Sequence, residues 1–133
     1  MVDLDTAARL LDAAQDEATD IGVPMCMAVV DDGANLVAFR RMDDALIGSI
    51  DIARNKAYTA VALQAPTSAI GEAAQPGAEL YGIETTNDGR IVSFGGGFPL
   101  ERDGDIVGGI GVSGGAVEED ETVASAGVDA FEG

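Results

Sequence analysis

The sequence predicts a single α/β domain of the α+β kind, residues 1–133, built on a largely antiparallel sheet of about five strands flanked by helices. Three observations lead there. A chain of 133 residues suits one domain, which at this length buries roughly two-thirds of its unfolded surface. Apolar residues, 47% of the total, suffice for one core. The apolar periodicity runs helix, two strands, helices, two or three strands, helix, and the strands are joined by turns too short to connect parallel neighbours. A doubly wound dinucleotide fold would need strands and helices to alternate, and here they do not.

The first helix spans Leu4 to about Asp20, with Leu4, Ala7, Ala8, Leu11, Ala14 and Ala18 on one face and Asp12, Gln15, Asp16 and Asp20 on the other. Asp3 or Asp5 can cap its start, and Gly22 with Pro24 ends it. Met25 to Val30 reads as a buried strand. Asp31-Asp32-Gly33 turns it into a second strand, Asn35 to Arg40. Asp43 or Asp44 is expected to cap a long helix through Leu46, Ile50, Ala53, Ala57, Ala60 and Val61 that stops before Pro66, and Thr67 to cap a short helix to about Ala74. Gln75 to Asn87 reads as irregular, with a single turn around Glu79 to Tyr81, and Asn87-Asp88-Gly89 is a turn. Ile91 to Phe94 is expected to be a short strand. Phe98 to Arg102 and Asp105 to Val112 form a hairpin around Asp103-Gly104. From Ala116 the stripe Val117, Ala124, Val128, Phe131 marks a last helix, with Glu118 to Glu121 at its positive end and Gly133 as its cap.

Charge is the least ordinary property of the chain. Asp and Glu number 24 against 7 Lys and Arg, a net charge of -17, and Lys56 is the single lysine beside Arg9, Arg40, Arg41, Arg54, Arg90 and Arg102. That field repels nucleic acid and anionic membranes, so neither is an expected partner. Self-repulsion on this scale strains a compact fold unless salt shortens its range, from about 8 Å at physiological ionic strength to about 3 Å near 1 M. The composition therefore reads as a halophilic, salt-adapted acidic protein. No run of apolar residues is long enough to span a membrane, and the acidic, amphipathic first residues lack the basic flank of a secretory signal, so a cytoplasmic location is expected. Arg40 and Arg41, beside Asp43 and Asp44, suit a subunit contact.

Ile50 to Pro66, IDIARNKAYTAVALQAP, and Phe94 to Gly115, FGGGFPLERDGDIVGGIGVSGG, followed by acidic residues and a helix, resemble the family of haem-degrading and haem-binding domains. The family also includes the small protein encoded with glycolate oxidase and the C-terminal domain of a corrinoid adenosyltransferase. The resemblance covers essentially the whole chain. It implies a profilin-like or PAS-like fold with a five-stranded antiparallel sheet, homo-oligomers, and in several relatives a bound haem.

Haem is the possible cofactor, yet the chain has no histidine, the commonest neutral axial ligand. Cys26, Met25, Met27, Met42, Tyr58 and Tyr81 remain as donors. Those at 25 to 27 alternate across a strand and cannot all face one pocket; the two tyrosines are the possible haem ligands retained. The glycine segments form the other candidate site. Gly95, Gly96 and Gly97 permit close backbone approach and Pro99 fixes the chain after them, while Ser113, Gly114 and Gly115 lead into the final helix, whose amides suit an anion. Tight turns and close packing of two chain segments would explain the same glycines. Lys56 and Thr59 lie in the family-like helix, and Lys56 is either a ligand's carboxylate partner or the partner of one of the chain's own acids. Arg54 faces about 200° away from it around the helix. Asp120 and Ser113 offer an acid and a hydroxyl near the glycines. Without histidine, neither a Ser-His-acid triad nor a Cys-His pair can form, so catalytic residues are unassigned. One cysteine gives no thiolate metal cluster, and zinc is disfavoured.

The expected function is an accessory protein that binds haem or another small anionic or metallo-organic ligand. The alternatives are an enzyme acting on a small organic acid or tetrapyrrole, and a non-catalytic, oligomeric interaction subunit.

Overall fold

In the computed structural model, which describes residues 1–133, a four-stranded sheet separates two layers of helix. Helix α1 (Leu4–Ile21) begins where the Asp3 carboxylate accepts the Thr6 N–H at 2.8 Å, and ends at Gly22, whose φ of 73° permits its N–H to cap Ala18 and Thr19. Its buried face is Ala7, Leu10, Leu11, Ala14 and Ala18. Leu4, expected on that face, is 62% exposed, and Leu10 is buried instead.

Strands β1 (Cys26–Asp31) and β2 (Leu36–Arg41) form the first hairpin, held at its turn by the Asp31 carboxylate, which accepts the N–H groups of Gly33 and Asn35 at 2.9 Å. Strands β3 (Gly97–Arg102) and β4 (Asp105–Ser113) form the second. Its two turn residues, Asp103 and Gly104, both have positive φ, the arrangement whose twist matches that of the strands. Every pairing is antiparallel and the order is β2-β1-β4-β3. Pro99 sits on an edge strand, where its missing N–H costs the sheet little.

The expected fifth strand is absent. Val92 donates its N–H to Thr59 Oγ1 at 3.0 Å and Arg90 O accepts the same hydroxyl at 3.2 Å. The segment is therefore tied to a helix, and its backbone groups are not free to extend the sheet. The helix is α2 (Gly48–Ala62), followed by α3 (Thr67–Ala73). Neither has the expected side-chain cap. Asp44 is held at a φ of 69° in the loop before α2, whose N-cap is Ile47, and Thr67 lies inside α3 with its hydroxyl accepting the Gly97 N–H at 2.9 Å. Two single 3-10 turns, Ile83–Thr85 and Asn87–Gly89, occupy the irregular region. Helix α4 (Val117–Glu132) closes the chain with Gly133 as its C-cap.

The sheet's two faces are packed differently. Met25, Met27, Val29, Leu100, Ile110 and Val112 meet α1 and α4 through large side chains. On the other face, Cys26, Ala28 and Val30 meet Ala53 and Ala57 of α2 with Phe39 beside them, and the residues of β3 and β4 that lie closest under the helix are glycines. A β-carbon added at Gly97, Gly109 or Gly111 would run into the backbone of Lys56, Ala57 or Ala53. Helix α2 thus lies with its backbone nearly on the sheet, which explains its small inward residues and weak apolar stripe. No helix is long and apolar enough to cross a membrane.

Candidate functional site

Lys56 leaves α2 between glycines. Its side chain passes Gly111 and Gly96, where added β-carbons would lie 2.9 Å from its Cβ and 2.6 Å from its Nζ. It reaches from one helix layer to the other. There its ammonium donates to Val112 O at 2.8 Å and to Asp120 Oδ2 at 3.0 Å, in the first turns of α4. The second Asp120 oxygen accepts the Gly115 N–H at 2.9 Å. Both charges are out of water, with side-chain exposures of 0% and 4%. Burial pushes the Lys56 ammonium below its ordinary value, while the charge and hydrogen bond of Asp120, and more weakly Glu121, act the other way. The Phe94 ring lies 5.0 Å from the ammonium, itself 42% exposed, and Glu121 packs on Gly95. A β-carbon at Gly95 would come within 2.6 Å of that carboxyl.

The structure therefore brings together Lys56, Gly95, Gly96, Gly115 and Asp120 of the predicted residues. Thr59 fastens the 90–92 segment, one helical turn away. Pro99 is paired with Gly109 along the sheet, and Gly114 packs on Pro24 and Met25. Ser113 shares a hydrogen bond with Ser49 at 3.0 Å, while both Asp120 oxygens are engaged elsewhere, so this hydroxyl and this acid have separate partners. Phe94 and Glu121 complete the cluster. In the sequence Phe94 reads as the end of a strand and Glu121 as one of four acids at a helix start; no local pattern sets either apart.

The possible haem donors fall in three environments. Met25, Cys26 and Met27 are fully buried, the two methionines in the α1/α4 core and the cysteine on the α2 side, as strand alternation requires. Burial pushes the Cys26 thiol up, against the opposing charge of Arg41. Met42 is half-buried, its sulfur 3.4 Å from the Met25 N–H. Tyr81 is 67% exposed. Tyr58 is half-buried on α2, where its hydroxyl donates to Asn87 Oδ1 at 3.0 Å and the Arg90 guanidinium stacks 4.1 Å from its ring centre. No three acidic or thiol side chains approach closely enough to hold a metal ion. An open surface groove is formed by Glu17, Glu118, Glu121, Asp129 and Phe98, four of them acidic.

Comparison with known proteins agrees with this architecture. The model of the family described as haem degrading protein HbpS-like matches residues 2–129. An uncharacterized 15.0 kDa protein from the dhaT-dhaS intergenic region of Citrobacter freundii is 46% identical over 98% of this chain and 92% of its own. The corrinoid adenosyltransferase PduO of Salmonella typhimurium is 42% identical over 92% of this chain, which spans only 37% of that enzyme. A crystal structure of a PduOC–haem complex superposes with a TM-score of 0.90 at 41% identity, covering 92% of this chain and 89% of the other. The match along nearly the whole sequence, on a fold with the same helix and strand arrangement, establishes that the chain belongs to the HbpS-like haem-degrading family.

Proposed function

We propose that this protein is an oligomeric accessory protein that takes haem, or a similar small metallo-organic anion, on its surface. The carrying observation is its likeness, at 41% identity and a TM-score of 0.90, to a PduOC structure that holds haem. The residues fit such a group in one manner. Met25, Met27 and Cys26 cannot reach a porphyrin without unpacking the core and the sulfur of half-buried Met42 already accepts the Met25 N–H, so Tyr81 and Tyr58 are the side chains that would hold it, at an open face or between subunits. Bound haem would supply iron redox chemistry; this chain's own part is to hold it. Phe94, Leu46 at 66% and Ile47 at 80% exposure add apolar surface for ligand or neighbouring subunit.

Absorbance titration of the full chain with haemin in molar salt tests the reading. The expected result is a saturable shift of the main haem band at a fixed number of haems per chain, weakened about tenfold or more by Tyr81→Phe or Tyr58→Phe. A shift that never saturates would remove haem from the function. The salt-adapted reading predicts that the assembly loosens below about 0.5 M salt, as self-repulsion between chains of charge -17 regains its range. Size-exclusion elution that stays the same from molar to dilute salt would contradict it.

A further inference from the structure

The seven cationic side chains are unevenly employed. Lys56 is paired with Asp120, Arg40 with Asp12 at 2.8 Å, Arg9 donates to Ala130 O, Arg41 donates to Ala45 O, and Arg102 stacks on Phe131. Arg54 and Arg90 are left, in neither ion pair, and they line the same small cleft with Val30, Ala34, Leu36, Asn55 and Tyr58.

No acidic residue lines that cleft, in a chain where 24 of 133 residues are acidic. The nearest acids along the chain are already occupied or lie outside it. Asp31 accepts N–H groups within its own turn, Asp51 accepts the Asn55 amide at 3.0 Å, and Asp88 belongs to the turn before Arg90. The cationic wall is also held in place. Arg90 Nε donates to Asn87 O at 2.9 Å, its guanidinium lies on the Tyr58 ring, and the Tyr58 hydroxyl donates to the same Asn87. One face of that guanidinium is fixed against an aromatic ring while its terminal N–H groups remain to meet a ligand.

We propose that Arg54, Arg90, Asn55 and Tyr58 form a seat for a small oxyanion, a carboxylate or phosphate head group. Two guanidinium groups and the second amide hydrogen of Asn55 match such a group's acceptors, while Tyr58, its own proton given to Asn87, holds Arg90 in place, and guanidinium suits planar oxyanions better than a point charge does. The overall field of the protein opposes anions at long range. At molar salt that field is confined to a few ångströms, and two local cations dominate what an arriving anion meets. A volume of about 120 Å³ has room for a head group and excludes a porphyrin ring, so a free small acid and the propionate of a haem lying outside the cleft are the two sources of the same chemistry.

The chain has no tryptophan and two tyrosines, so its tyrosine fluorescence reports directly on Tyr58 once Tyr81→Phe is introduced. The expected result is a saturable change on titration with succinate or inorganic phosphate in molar potassium chloride, weakened about tenfold or more in Arg54→Gln, whose exposed side chain holds no part of the fold together. If the source is a haem propionate, neither small anion saturates. Haemin then binds more tightly than its dimethyl ester, and Arg54→Gln removes that difference. The proposal is overturned if Arg54→Gln leaves all these titrations unchanged while its circular dichroism matches the parent.

Discussion

Replacing either Lys56 or Asp120 by alanine is expected to cost about 3–5 kcal/mol of unfolding free energy, because each change leaves the other charge buried without its partner. Exposures of 0% and 4% rule out rescue by water without local unfolding. The double replacement Lys56→Met, Asp120→Leu removes both charges at similar volume and is expected to lose far less than the sum of the single changes. Denaturant unfolding of the four proteins in molar salt measures the coupling directly. Additive losses would mean that the pair is not a unit. The pH dependence carries a sign as well. A lysine whose folded value lies below its unfolded 10.5 binds fewer protons in the native state across that interval, so its contribution to stability is lowest below the folded value and rises with pH through the window. Relative to the double variant, the parent should therefore gain stability as the pH climbs toward 10.5. A relative loss would show that attraction to Asp120 outweighs burial and holds the ammonium up.

Gly111→Ala is the second change expected to be severe, with a loss of at least about 3 kcal/mol. The position has no positive φ, so the penalty is steric. The new methyl would overlap Ala53 O and approach Ala57 N and Lys56 Cβ, at 2.5 and 2.9 Å. Two of the three obstacles are main chain in the middle of α2, and they can retreat only if the whole helix lifts off the sheet. Gly48→Ala is the control. Nothing lies within 4 Å of its added carbon, and in the first turn of α2 it should be neutral or stabilising by up to about 1 kcal/mol. Similar losses in the two variants would mean that the helix does not rest on the glycines.

These glycines also mark the limit of what the sequence reveals. The α1/α4 layer is legible because large apolar side chains at helical and strand spacing announce a core, and the exchanges there are Leu10 for Leu4 on α1 and, on α4, Val123 for Val117, which is 43% exposed. The α2 layer is nearly silent. Its contacts are made by backbone against backbone, and alanines facing glycines leave little periodicity. Ile91 to Phe94 has the composition of a strand, yet the fate of its N–H groups was settled by Thr59, some thirty residues earlier. The ion pair was legible by half. Lys56 stood out as the single lysine and Asp120 as an acid near the glycines, but among 24 acids nothing local marks Asp120, 64 positions away, as the partner of Lys56. The arginine cleft was hidden for the same reason, since Arg90 meets α2 only because a turn of positive φ at Asn87 and Asp88 folds it back.

The passage between Gly96 and Gly111 bears on amino-acid choice itself. Everywhere else this protein meets its need for positive charge with arginine, at all six remaining positions. The passage beside Gly96 and Gly111 is so close that even a β-carbon there would meet the lysine chain, a setting that suits a slender, flexible chain ending in a compact charge better than a broad planar fork. Shape thus reserves one lysine in a composition that otherwise avoids it. In any variant selected for still lower lysine content, position 56 is the place where the charge and its counterion must leave together.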